Sequence, residues 1–186
     1  PESHRKMKRK GDFEYCPKQR KVAESYQRYL ILAFFASVPD RQRTIRELEI
    51  GRTLVKNDQG EWTIKHGPDD YKTGKYYGER PTMQLAVDLT PAIDDFVENW
   101  RPSLNPSGNC LLIQPKTGNP MTGDSIFQRV SRCCFKVTGK KVNPHLLRDI
   151  LVTHVRETDA SEKELEALAL FMGHRYALRY LRDKMV

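Results

Sequence analysis

His145-Leu146-Leu147-Arg148 opens an apolar helical pattern, and a spacing of three residues puts an imidazole and a guanidinium on one helix face. There the two can converge on a single phosphate. The guanidinium would offer bidentate hydrogen bonds, and the imidazole would donate or accept a proton. Taken alone, the pair reads more readily as a first-turn histidine beside a surface arginine. Three other groups supply context: an arginine-rich turn, Asp40-Arg41-Gln42-Arg43; a lysine pair, Lys72-Thr73-Gly74-Lys75, in a polar segment; and Gly173-His174.

These groups need elements to position them. Tyr26, Tyr29, Leu30, Ala33 and Phe34 recur at helical spacing, which predicts a buried helix over residues 22–38, stopped at Pro39. Ile45 and Leu48 predict a short helix starting near Arg41. Trp62, Ile64 and His66 alternate with polar residues, as do Met83, Leu85, Val87 and Leu89, so two half-buried strands are expected. Residues 67–81 between them read as a mobile hairpin tip. The remainder reads as helical. Thr90-Pro91 opens a helix through Ile93, Phe96, Val97 and Trp100. After the apolar run 111–113 and a turn over 115–120, Ile126, Phe127, Val130, Cys133 and Cys134 share one helix face. Leu147, Ile150, Leu151, His154 and Val155 share another. Ser161 and Glu164 form a capping box for a helix buried through Leu165, Leu168, Phe171 and Met172, with Gly173 as its stop. The expected fold class is α+β, mainly helical, with a small antiparallel sheet that carries the lysine hairpin. His4, His66 and His154 read as structural or exposed, and Trp62 and Trp100 as packing anchors.

Composition narrows the function classes. The chain has 186 residues, 32 Lys+Arg against 24 Asp+Glu, and a net charge of +8, enough length for one domain with a real core. The excess sits at the ends: residues 1–22 hold eight Lys/Arg and three acids, and residues 175–186 hold four and one, leaving the body neutral. Basic ends on a neutral body point to a polyanionic partner. The longest apolar run, residues 30–38, is far short of the roughly 20 residues a bilayer span needs. No apolar stretch follows the basic first residues, which argues against a secretory signal. Cys16, Cys110, Cys133 and Cys134 show no C-x-x-C spacing and read as reduced thiols of an intracellular protein.

The order Arg, Lys on a hairpin, His-x-x-Arg, Gly-His resembles the catalytic domain of the tyrosine recombinases, the phage-integrase family, over about residues 23–180. The resemblance implies an integrase-type catalytic domain that cleaves and rejoins DNA through a 3′-phosphotyrosyl intermediate. Arg41 takes the place of the first arginine, because Ile45 and Leu48 follow it four and seven positions on. Arg43 and Arg46 are the alternatives, and Arg46-Glu47-Leu48-Glu49-Ile50 also mimics the family wording. Lys72 is the implied general acid, His145 the base, Arg148 the second arginine and His174 a phosphate ligand. The nucleophile is the departure. The family's usual spacing beyond the Gly-His falls on Asp183, so Tyr176 is expected to serve, with Tyr180 as the alternative. Asp149 stands where many members carry a second histidine.

The same resemblance implies double-stranded DNA as partner, self-assembly on DNA as a dimer or tetramer, no metal, no cofactor and no membrane. Residues 1–22 are expected to be a basic arm or linker and 23–186 the catalytic domain, with a DNA-clamp domain preceding residue 1. Lys8, Arg9, Lys10, Lys75, Lys140 and Lys141 are expected to touch DNA. Two alternatives stay open: a catalytically inactive DNA-binding module of the same fold, and a type IB-like topoisomerase or telomere resolvase.

Overall fold

The computed structural model describes residues 17–172. Helix α1 (Pro17–Ser37) begins earlier than the apolar pattern predicts, so residues 17–22, expected in the arm, are helical. Ala23, Leu30, Ile31, Phe34 and Phe35 make its buried stripe, whereas Tyr29 lies half outside. The buried polar member of that stripe is Gln27. Its Nε2 donates to the Ile113 carbonyl at 3.0 Å, and its Oε1 accepts the Ile113 N–H at 2.8 Å. One amide thereby satisfies both backbone groups of a residue in the buried run 111–113.

Helix α2 (Gln42–Arg46) follows the turn at Pro39-Asp40 and buries Thr44 and Ile45. A three-stranded antiparallel sheet comes next: β1 (Leu54–Lys56), β2 (Trp62–Ile64) and β3 (Met83–Gln84), in that spatial order. Leu54 lies opposite Ile64, and Ile64 opposite Met83. Strand β1 is absent from the sequence expectation. The Asn57 side chain closes the β1–β2 turn by accepting the N–H groups of Gln59 and Glu61.

Two expectations fail here. The alternation from Met83 to Leu89 is strand for two residues only, and Leu89 heads helix α4 (Leu89–Asp95), which Pro91 accommodates in its first turn. Residues 67–81 are not a bare hairpin tip. They fold back, form the short helix α3 (Gly74–Tyr77) and bury Tyr71, Gly74 and Arg80. The cause is a cation–aromatic stack, described below.

Helix α4 runs on through a π turn over Phe96–Trp100 and a 3-10 turn over Arg101–Leu104, ending at Asn105 in the left-handed region. In α5 (Gly123–Thr138), Ile126 and Val130 are buried, Cys133 and Cys134 half-buried and Phe127 exposed. Cys110, Cys133 and Cys134 are free thiols. Helix α6 (Pro144–Glu157) departs most from its sequence pattern: Ile150 and His154 are exposed, and the buried residues are Pro144 and Arg148. The Pro39 carbonyl takes the Arg148 guanidinium inside the fold, and that contact sets the rotation of the helix. Helix α7 (Glu162–Phe171) opens with the expected capping box. The Ser161 N–H donates to Glu164 Oε2 at 2.7 Å, and the Glu164 N–H to Ser161 Oγ at 3.3 Å. Phe171 is buried, while Leu165 and Leu168 are only half-buried; Gly173, the expected stop, lies outside the described residues. No helix among the described residues is long and apolar enough to cross a membrane.

Candidate functional site

The site grows from the turn between α1 and α2. Asp40 is almost fully buried, and its Oδ1 accepts the Arg41 backbone N–H at 2.7 Å. Arg41 holds the extended N-cap position of α2 (φ −73°, ψ 149°), where its carbonyl accepts the Thr44 and Ile45 N–H groups. Its Nη1 is buried without a hydrogen-bond partner among the described residues. Arg43 and Arg46 are differently placed, since both guanidiniums pair with Glu47. Burial pushes the Glu47 carboxyl up, but the hydrogen bonds from Arg46 and Arg43 outweigh it and leave it low. Local pairing occupies those two arginines.

Arg148 reaches the same place from the first turns of α6. Asn143 caps that helix, its Oδ1 accepting the Leu146 N–H at 2.9 Å, and Pro144 holds the first helical position. Arg148 is only 5% exposed and donates from Nε to the Pro39 carbonyl at 3.0 Å. Burial, and then the neighbouring Arg41 charge, hold its guanidinium below the usual arginine range, with Asp40 pulling the other way. Two guanidiniums drawn out of water within each other's field cost energy unless an anion shares the space.

A third guanidinium joins them. Arg80 is buried and donates from Nη1 to Asp40 Oδ2 at 2.7 Å. Its guanidinium carbon sits 3.8 Å from the centre of the Tyr71 ring and 5.2 Å from that of Phe171. The Arg80 N–H donates to the His66 carbonyl at 3.1 Å, and the Tyr71 hydroxyl to the Gly78 carbonyl at 2.8 Å, so residues 67–79 close into a loop at their neck. His66 lies with Nδ1 3.9 Å from Asp40 Oδ2. Burial is the main cause that lowers its pKa, against the opposing Asp40 charge. One carboxylate, Asp40, thus takes the Arg80 guanidinium and the Arg41 backbone N–H beside a histidine that burial disfavours from protonating, and the arginines around it outnumber it.

The expected site residues divide accordingly. Arg41 and Arg148 come together, whereas Arg43 and Arg46 pair with Glu47. Lys72 and Lys75 are exposed on the loop that Arg80 closes. His145 is at the α6 N-terminus with its side chain 76% exposed and its Nε2 3.8 Å from Asp149 Oδ2. Lys140 and Lys141 are exposed just past Gly139, which ends α5 in the left-handed region (φ 70°). His174, Tyr176, Tyr180, Lys8, Arg9 and Lys10 lie outside the described residues. Sequence reasoning missed Arg80, Tyr71 and the structural role of Asp40. An arginine just before Pro81 was the available signal, but nothing local distinguishes it from the other charges of the segment.

No protein-family model and no curated protein matches the chain. Solved structures do. The chain is similar to XerA recombinase (18% identity, TM-score 0.60, 90% of this chain and 62% of that one). It is similar to the XerH site-specific recombinase bound to difH substrate in a pre-cleavage complex (15% identity, TM-score 0.63, 89% and 46%). It is also similar to the Tn1549 transposon integrase in complex with transposon right end DNA (16% identity, TM-score 0.57, 94% and 61%). The chain thus spans less than two-thirds of each of those proteins. At these identities the likeness is one of fold, and the mainly helical chain with its small antiparallel sheet has the fold of the tyrosine recombinases.

Proposed function

We propose that this chain is the catalytic part of a site-specific recombinase that cleaves and rejoins DNA through a 3′-phosphotyrosyl intermediate. The observation that carries the reading is the pairing of Arg41 with the buried Arg148, brought together by the Arg148–Pro39 hydrogen bond across 109 residues. In-line attack on a phosphodiester builds charge on the non-bridging oxygens, and two fixed guanidiniums answer that charge without reorganising.

In this reading Tyr176, with Tyr180 as second candidate, attacks phosphorus. A phenol of pKa about 10 is a weak nucleophile at neutral pH. Its proton passes to His145 as the phenolic oxygen–phosphorus bond forms. The bond to the 5′-oxygen breaks, and Lys72 gives that oxygen a proton, leaving a 5′-hydroxyl. His174 hydrogen-bonds the phosphate. Rejoining runs the same steps backwards, so the phosphotyrosyl bond conserves the energy of the broken linkage. Lys75, Lys140, Lys141 and the basic residues of the arm, Lys8, Arg9 and Lys10, would contact phosphates and make binding salt-dependent. Self-assembly on DNA belongs to the same proposal.

The test is covalent capture. The full-length protein is incubated with a pool of nicked suicide duplexes of randomised sequence and resolved on a denaturing gel. A protein–DNA adduct that disappears in Tyr176→Phe supports the reading, and one that disappears only in Tyr180→Phe moves the nucleophile. Retarded DNA without any adduct supports the inactive DNA-binding module. Relaxation of supercoiled plasmid without a specific site supports a topoisomerase.

A further inference from the structure

We propose that Arg80 is a positioning residue that keeps the Asp40 carboxylate away from the Arg41 guanidinium, so that Arg41 meets phosphate with its charge uncancelled. The inference rests on the recombinase reading above and adds to it a residue outside the expected catalytic set.

Asp40 links the Arg41 turn to Arg80, and each of its oxygens is committed. Oδ1 takes the backbone N–H of Arg41, and Oδ2 takes Arg80 Nη1 at 2.7 Å. Arg41 lies next in sequence to this carboxylate and still carries a buried Nη1 with no hydrogen-bond partner among the described residues. A buried carboxylate deprived of its partner is an uncompensated charge, and it turns to the nearest cation. Arg41, the next residue along the chain, offers it a guanidinium with an open donor among the described residues. Were Asp40 to take it, the guanidinium would be neutralised before phosphate arrived.

Arg80 is built to hold the carboxylate. Its side chain is 2% exposed and fixed from several directions. The Tyr71 ring covers the guanidinium at 3.8 Å, Phe171 at the end of α7 adds a second aromatic contact, and its own N–H is tied to the His66 carbonyl. His66 stands 3.9 Å from the same carboxylate oxygen, and its burial disfavours protonation, so it does not replace Arg80 as the counter-charge. The contact to Tyr71 also places this pair directly beside Lys72. The Lys72 loop, the Arg41 turn and the end of α7 therefore meet on one side chain.

The test uses the full-length protein and compares Arg80→Met, Arg80→Lys, Asp40→Asn and the double variant Asp40→Asn/Arg80→Met for the single-turnover rate of adduct formation, with a thermal melt for each. Arg80→Met is expected to slow adduct formation by about 100-fold or more, on the scale of losing one transition-state donor. Arg80→Lys, which keeps the counter-charge, is expected to retain most activity. The double variant is expected to recover to within about tenfold of the unmutated protein, because the side-chain amide introduced by Asp40→Asn still accepts the Arg41 N–H but carries no charge to cancel the guanidinium. A merely structural clamp would not recover when both halves are removed. If Arg80→Met does not fold, the double variant alone decides: activity within about tenfold supports the inference, and a loss of about 100-fold in a folded protein overturns it. An Arg80→Met protein as active as the unmutated one overturns it too. No adduct from the unmutated protein overturns the recombinase reading itself, and this inference with it.

Discussion

Arg148 donates from Nε to the Pro39 carbonyl at 3.0 Å, which fastens the start of α6 to the turn that presents Arg41. The bond joins two segments that share no local pattern, and it explains why α6 buries an arginine in place of its apolar stripe. Removing the side chain would strip that carbonyl of its donor as well as the site of a charge.

Arg148→Met is expected to slow adduct formation by about two orders of magnitude or more, the effect of one lost transition-state donor. It should also cost about 1–3 kcal/mol of stability through the unsatisfied carbonyl. Arg148→Lys keeps the charge but not the fork, and it is expected to recover stability better than rate. Suicide-duplex capture and urea denaturation read the two effects separately, and equal recovery of both would contradict the bidentate role.

The three arginines of the first turn should separate cleanly. Arg41→Ala is expected to abolish cleavage with little change in melting temperature. Arg43→Ala and Arg46→Ala each lose a partly exposed pair with Glu47, worth about 0.2–1 kcal/mol, and should leave the cleavage rate within a few-fold. A cleavage defect in Arg46→Ala matching that of Arg41→Ala would reassign the first arginine.

Gly74 lies against Pro68 so closely that an added Cβ would run into the Pro68 carbonyl. Gly74→Ala is therefore expected to open the loop that carries Lys72, because neither backbone can yield locally. Hydrogen exchange over residues 67–79 should quicken while β1 and β2 keep their protection. Unchanged exchange would show that the loop tolerates the methyl group.

His66 gives stability a pH dependence of known sign. Burial, the main cause, lowers its pKa in the folded state from the ordinary value of 6.5. Below that value the unfolded chain binds the proton more readily, so the stabilisation is complete above pH 6.5 and is lost as the pH falls toward the folded value. The slope for one proton is at most about 1.4 kcal/mol per pH unit. Urea denaturation on either side of pH 6.5 should show this slope in the unmutated protein and a shallower one in His66→Phe. Identical slopes would count against a buried neutral histidine.

The amino-acid sequence by itself determined what depends on neighbours along the chain. The Ser161–Glu164 box, the Asn143-Pro144 start of α6, the Asn57–Gly60 turn and the stripe of α1 all arise from contacts within a few residues. The order of Arg41, Lys72, His145 and Arg148 is legible for the same reason, and with it the fold. Tertiary structure alone decided which charges are desolvated. Arg41, Arg43, Arg46 and Arg80 are alike as residues in polar segments, yet Arg43 and Arg46 find Glu47 nearby while Arg80 finds Asp40 across 40 residues. A guanidinium's environment is set by what the rest of the chain packs against it, and electrostatic strength follows burial and distance in space. That is why the order of the candidate residues can be read along the chain, and the buried Asp40–Arg80 pair cannot.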